Sequence, residues 1–118
     1  MSTTYEKKIY EPWFSLMKLK IKTVEGTLNK GDFSNMKIGD IIIFKNYDLG
    51  FQRRFGVKII KITNYDTFQL YLENETLDRC LPSIDTMDEG LDVYNNIYKQ
   101  EDIKTHTVKA FTITKLLQ

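Results

Sequence analysis

The sequence predicts an α+β domain built on a curved, mostly antiparallel sheet or small barrel. Three observations carry that reading. Branched and aromatic residues gather in short runs near 21–28, 41–44, 55–62 and 107–115, each too short or too β-branched for a buried helix. Helical spacing occurs in three places, one before these runs and two between them, so strands outnumber helices and are interrupted by them. Within the third run the alternation of apolar residues inverts its phase, as it does when a bulge bends a strand.

The elements follow in order. Glu11-Pro12 opens a short helix whose apolar residues Trp13, Leu16 and Met17 fall at i, i+3 and i+4, with proline in the first turn. Residues 21–28 read as extended, Gly31 and Gly39 as turns, and residues 41–44 as a buried strand. Phe55, Val57 and Ile59 alternate, then Ile60 and Ile62 alternate in the opposite phase, which predicts a bulge between Ile59 and Ile60. Asp66 or Thr67 can cap a short helix carrying Phe68, Tyr71 and Leu72. Asp85 can cap a longer one whose inner stripe is Met87, Leu91, Tyr94 and Tyr98. Gly90 inside that pattern costs about 1 kcal/mol relative to alanine. A last strand is expected over 107–115.

At 118 residues the chain is expected to be a single domain, with no repeat, low-complexity tract or linker among its 2 prolines and 6 glycines. A chain of this size buries roughly 65% of the surface its unfolded form exposes. A 42% apolar composition supplies such a core and excludes wholesale disorder. No apolar run approaches the roughly 18 residues of a membrane span. The opening MSTTYEKK has no signal-peptide core, and its second residue is serine where myristoylation needs a glycine, so the expected location is the cytoplasm. One cysteine, Cys80, and one histidine, His106, cannot build a Cys/His metal centre or an internal disulfide, so no metal and no cofactor is expected. The pattern Asn74-Glu75-Thr76 matches a glycosylation sequon but is discounted without a secretory signal.

A formal net charge of +1 hides an uneven layout. Residues 18–61 carry ten cations against four anions, whereas residues 73–102 carry nine anions against two cations. A basic stretch offers a surface to an anionic partner, while the alternative reading is two solvated faces.

The segments EPWFSLMKLKIKTVEG, IGDIIIF, LPSIDTMDEGLDVYNNIY and VKAFTI, in that order, resemble the ASCH domain family of the PUA-like superfamily over about 11–113. That family carries a Gly-x-Lys-x-x-Glu-x-Arg loop after its first helix. Lys22 and Glu25 stand at the Lys and Glu positions, whereas Lys20 replaces the Gly and Thr27 replaces the Arg. The resemblance implies a small β-barrel with helices packed across it and a cleft beside the loop. In PUA-like proteins that cleft is associated with RNA or modified nucleosides.

Lys22 is a compact cation that can pair a phosphate or, if desolvated, act as a base or nucleophile. In a regular strand Lys22 and Glu25 project to opposite faces, so a pair requires a bend, which Gly26 could permit. Glu25 could then accept from the exocyclic amine of cytosine. The alternative is an ordinary rim ion pair worth less than about 1 kcal/mol. With Lys20, Thr23 and Thr27, these residues form the candidate site. Of the 15 aromatics most are expected in the core, but Trp13, Tyr65 and Phe68 flank candidate ligand positions and could stack on a base. Arg53 and Arg54, with no acidic residue close by in sequence, are candidates for phosphate.

Three functions are therefore expected candidates. The first is an RNA- or nucleoside-binding module using the basic stretch and the loop cleft. The second is a small amidohydrolase, since the chain resembles more distantly the ASCH proteins that hydrolyse N4-acetylcytidine with a lysine, a threonine and a glutamate. Lys22 matches that lysine, but Glu25 occupies the place of that threonine and the glutamate has no assigned counterpart. Lys22 and Glu25 are then the candidate catalytic residues. The third is a protein-interaction module presenting the acidic segment 85–97 to a basic partner.

Overall fold

The computed structural model describes residues 1–117. Five strands form one curved mixed sheet with the spatial order β1 (Thr4–Lys8), β3 (Ile41–Asn46), β4 (Arg53–Tyr65), β5 (Val108–Lys115) and β2 (Val24–Leu28). Three of its four pairings are antiparallel, and β1 lies parallel to β3. The result is a half-barrel with helices against it, the α+β architecture expected from the sequence.

The curvature has a local cause. The β4–β5 register shifts between Ile59 and Lys61, leaving Ile60 as the extra residue. Ile59 is buried, Ile60 is half exposed and Ile62 packs against the core, so the phase inverts at the bulge as expected while Ile60, the extra residue, turns outward and not inward with Ile62. The bulge lets one 13-residue strand pair with both β3 and β5 along its length.

Helix α1 (Trp13–Lys18) ends as its sequence cannot easily favour. The Lys20 amide donates to Met17 O at 3.0 Å and the Ile21 amide to Leu16 O at 2.9 Å, the paired bonds of a Schellman ending. That ending requires a left-handed residue after the cap, and Lys20 adopts it with φ +67°. Glycine takes this conformation freely, whereas a side chain resists it. Residues 21–23 are consequently not strand, and β2 starts only at Val24.

Helix α2 (Asp32–Asn35) is a single turn whose end is closed by the Lys109 ammonium, which donates to Phe33 O at 2.8 Å and Met36 O at 3.2 Å. Helices α3 (Phe68–Glu75), α4 (Leu77–Cys80), α5 (Met87–Ile97) and α6 (Gln100–Thr105) fill the connection from β4 to β5. Thr67 caps α3 by accepting from Leu70 N. Thr86, not Asp85, caps α5: its hydroxyl oxygen accepts from Glu89 N and donates to Glu89 Oε1, a reciprocal box that the Asp85 position cannot form.

Two apolar cores result. One packs α1 through Phe14 and Met17 against Ile42, Phe44, Phe55, Val57 and Phe111 of the sheet. The other joins α3, α4 and α5 to Val24, Leu28, Val108 and Ala110. Trp13 packs against both. Gly90 fits this second core because a Cβ there would meet Leu77 Cδ2 at 3.0 Å and Leu72 Cδ1 at 3.1 Å, so the helix-weakening residue sets the approach of α5. Gly26 does not make a bend; it is regular strand paired with Ala110. Its missing side chain admits the Tyr71 ring, whose Cζ would lie 2.3 Å from an added Cβ.

The parallel strand β1, which lacks apolar alternation, is held by Asp40. That carboxylate accepts from Thr3 N and Lys37 N, both at 2.9 Å, and these amides hold its carboxyl below the ordinary aspartate range. A depressed carboxyl stabilises the fold above its unfolded pKa and loses the effect as pH falls through the folded value. The stability difference between wild type and Asp40→Asn in urea melts is therefore expected to be full at pH 7 and to shrink below about pH 4. Separately, Lys20→Gly is expected to stabilise the fold by about 1 kcal/mol through relief of the left-handed residue, read as a higher urea midpoint at unchanged slope.

Candidate functional site

The loop 19–23 is fixed from several sides. Lys22 N donates to Leu16 O at 3.0 Å, Thr23 N to Arg79 O at 3.0 Å, and Ile113 N to Thr23 O at 3.1 Å, so α1, α4 and β5 all grip it. Because β2 begins after this loop, Lys22 and Glu25 are not constrained to opposite faces of a strand. Lys22 Nζ lies 3.2 Å from Glu25 Oε1. The same ammonium donates to Val24 O at 2.7 Å and to Cys80 O.

The lysine is 2% exposed and its three acceptors match the three N–H donors of an ammonium. The pair is thus no rim contact: one partner is buried and fully engaged, and the other lies at the edge of a cavity. Cys80 fills a gap in the second core, where burial pushes its thiol up to about 11.

That cavity is a cleft of about 420 Å³ between the two cores. Its floor includes Lys22, Glu25, Gly26 and Thr27. One wall is aromatic and apolar from Trp13, Phe33 and Phe44, and the other is formed by Leu81, by Val93 and Tyr94 in the C-terminal half of α5, and by Tyr98 just after it. Lys7, Lys8, Tyr10 and Glu11 also line it, from β1 and the segment following it. The Thr27 hydroxyl is buried at the floor without a hydrogen-bond partner. Burial, and then the Glu25 charge, raises the phenols of Tyr94 and Tyr98, keeping both as neutral hydroxyls beside a carboxylate. Phe68 stacks on Tyr94 at 4.2 Å and on Tyr98 at 5.8 Å, which fixes this wall from behind.

Apart from Arg53, the candidate residues separate into three groups. Trp13, Lys22, Glu25 and Thr27 come together in the cleft. Lys20 and Thr23 line a smaller groove on the other side of Lys22, and Arg54 lines its extension. Tyr65 and Phe68 line neither: the Tyr65 hydroxyl donates to Glu75 and its ring packs on Tyr71, while Phe68 is 4% exposed in the second core. Burial first, then the Glu75 bond, pushes the Tyr65 phenol up to about 12.

Arg53, without acidic neighbours in sequence, acquires one in space. Its guanidinium lies 3.0 Å from Glu11 Oε2, donates to Asn46 Oδ1 at 2.6 Å and stacks over Phe14 at 4.8 Å. Glu11 in turn accepts from the Ser15 amide at 2.9 Å and the Ser15 hydroxyl at 2.5 Å. Burial acts to raise that carboxyl, but the Ser15 and Arg53 bonds hold it below the ordinary range.

Lys7, Lys8, Tyr10, Tyr94 and Tyr98 were not singled out as site residues from sequence. Tyr94 and Tyr98 belong to a helical stripe that reads as core, and half of that stripe is instead a cavity wall.

The ASCH domain model matches residues 8–116, and the chain belongs to the ASCH domain family. The crystal structure of hypothetical protein PH0355 superposes with a TM-score of 0.85 at 32% identity, covering 97% of this chain and 100% of that one. The solution structure of protein PF0455 from Pyrococcus furiosus superposes with a TM-score of 0.78 at 31% identity, covering 98% of this chain and 100% of that one. No curated protein matches the chain significantly. Among the described residues no helix is long and apolar enough to cross a membrane.

Removing the buried ammonium would strand two carbonyls and a carboxylate. Lys22→Met is therefore expected to cost about 3 kcal/mol or more in urea unfolding, whereas Glu25→Gln, which leaves Lys22 its two carbonyl partners, costs less.

Proposed function

We propose that this chain is a single ASCH domain that binds RNA or a modified nucleoside, with a base held in the cleft between Trp13 and the tyrosines Tyr94 and Tyr98. The observation that carries this reading is the Thr27 hydroxyl, buried without a partner at the floor of the cleft beside Glu25. An unsatisfied buried hydroxyl costs about 1–3 kcal/mol, and a ligand with a polar edge removes that cost. Glu25 accepts an amino hydrogen, Thr27 supplies the neighbouring hydrogen bond, and the aromatic walls take the faces of the ring. A volume of about 420 Å³ lies in the range of small-molecule sites, roughly 300–1,000 Å³.

In this reading Lys22 holds and neutralises Glu25; its three N–H donors are engaged by the protein, which leaves none for a substrate. A binding site is favoured over an amidohydrolase for that reason. The family's general association with RNA points the same way.

The chain's single tryptophan lines the cleft, so its emission reports occupancy directly. Saturable quenching by cytidine or an N4-modified cytidine is expected, weakened about tenfold in Thr27→Val, which removes the hydroxyl at constant shape. Equal affinity in Thr27→Val would remove the support for this reading. Release of acetate from N4-acetylcytidine, abolished by Glu25→Gln, would replace it with the hydrolase.

A further inference from the structure

Behind the Lys22 side chain lies a second concavity that the cleft does not use. It has two compartments of about 230 and 250 Å³ that share Lys20 and Lys115. Lys18 and Arg54 complete the outer compartment, and among the described residues no carboxylate lines either one. Among the described residues none of these four cations has an acidic partner within ion-pair distance. The carboxylate that senses Arg54 is Glu6, and it is already paired with Lys45. Four cations without an acidic partner among the described residues face one groove and repel each other, which is tolerated when an anion joins them.

Lys20 adds an independent sign. It occupies the left-handed position of the Schellman ending, where glycine would be relaxed. Thr76 and Ser83 share the left-handed conformation, but of these three only Lys20 lines the groove. Here the side chain it keeps is an exposed ammonium lining both compartments.

We propose that the groove formed by Lys18, Lys20, Arg54 and Lys115 is a phosphate-binding track for the backbone of a single-stranded polynucleotide. The proposal rests on the nucleoside reading for its occupant: the cleft and the inner compartment both reach Lys22, and the backbone of a strand that holds one base in the cleft carries the anionic charge that these cations lack. A lipid surface would meet the same charges, but it would not use a concavity backing onto a base-sized cleft.

The test measures binding of an oligouridylate of roughly eight nucleotides, a length within the span of small single-strand sites, across a salt series. Each cation neutralising a phosphate contributes a slope of about 0.7 in log affinity against log salt, or about fivefold at 0.1 M salt. Lys20→Gly, which the fold accommodates without strain, is expected to lose that fivefold and to lower the slope by about 0.7. Lys20→Gly combined with Arg54→Ala should lose about 25-fold and 1.4 in slope. Unchanged affinity and slope in both variants overturn the groove, as does a wild type that binds phosphatidylserine vesicles but not the oligonucleotide. Trp13 quenching by free nucleoside on the unaltered chain reports the cleft separately, so that failure of the groove is distinguished from failure of the nucleoside reading on which it rests.

Discussion

The buried ammonium of Lys22 is the point on which the local architecture turns. A single Nζ closes the carbonyl of Val24 at the start of β2, the carbonyl of Cys80 at the end of α4, and the carboxylate of Glu25. Cys80 lies 58 positions from the lysine, so one cation joins the sheet to the helical insertion. An ion of this kind is expensive to desolvate, and the cost is met only because all its donors are engaged. The same geometry leaves Glu25 with its charge compensated yet its side chain at the cleft, and that combination gives the cavity a polar floor.

The cleft itself follows from having two cores instead of one. The sheet residues around Phe44, Phe55 and Phe111 pack with α1, and the helices α3 to α5 pack with β2 and β5. Trp13 touches both, and the space beside it is not filled by any side chain of comparable size. Helix α5 lies close enough to form a wall because Gly90 allows it to settle on Leu72 and Leu77. Tyr94 and Tyr98 then face Glu25 across the opening with their hydroxyls neutral.

Much of the fold was legible in the sequence because its signals are local. The inverted alternation around Ile59 and Ile60 located the bulge, and the spacing of Trp13, Leu16 and Met17 located α1. Strand β1 was not legible: TYEKK has no apolar alternation, and its place depends on Asp40 and on parallel pairing with β3, both nonlocal. The cap of α5 lies one residue beyond the Asp85 that the sequence suggests, because aspartate and threonine both cap well in isolation; the two bonds between Thr86 and Glu89 decide for Thr86. The sequence points to Gly26 for the bend that joins Lys22 to Glu25, whereas it arises at Lys20, a residue type that gives no hint of a left-handed backbone. Arg53 looked free for a ligand only because Glu11 lies 42 positions away.

The outermost position of β1 carries a further consequence. The strand leaves one row of backbone donors and acceptors open along the rim of the sheet, a template to which a like strand could add. Its residues Glu6, Lys7 and Lys8 are charged, and five residues is a short template. A second molecule approaching edge to edge would have to strip water from these charges before gaining any backbone bond. The feature that makes β1 hard to recognise as a strand is thus the one that protects the sheet from growing without limit.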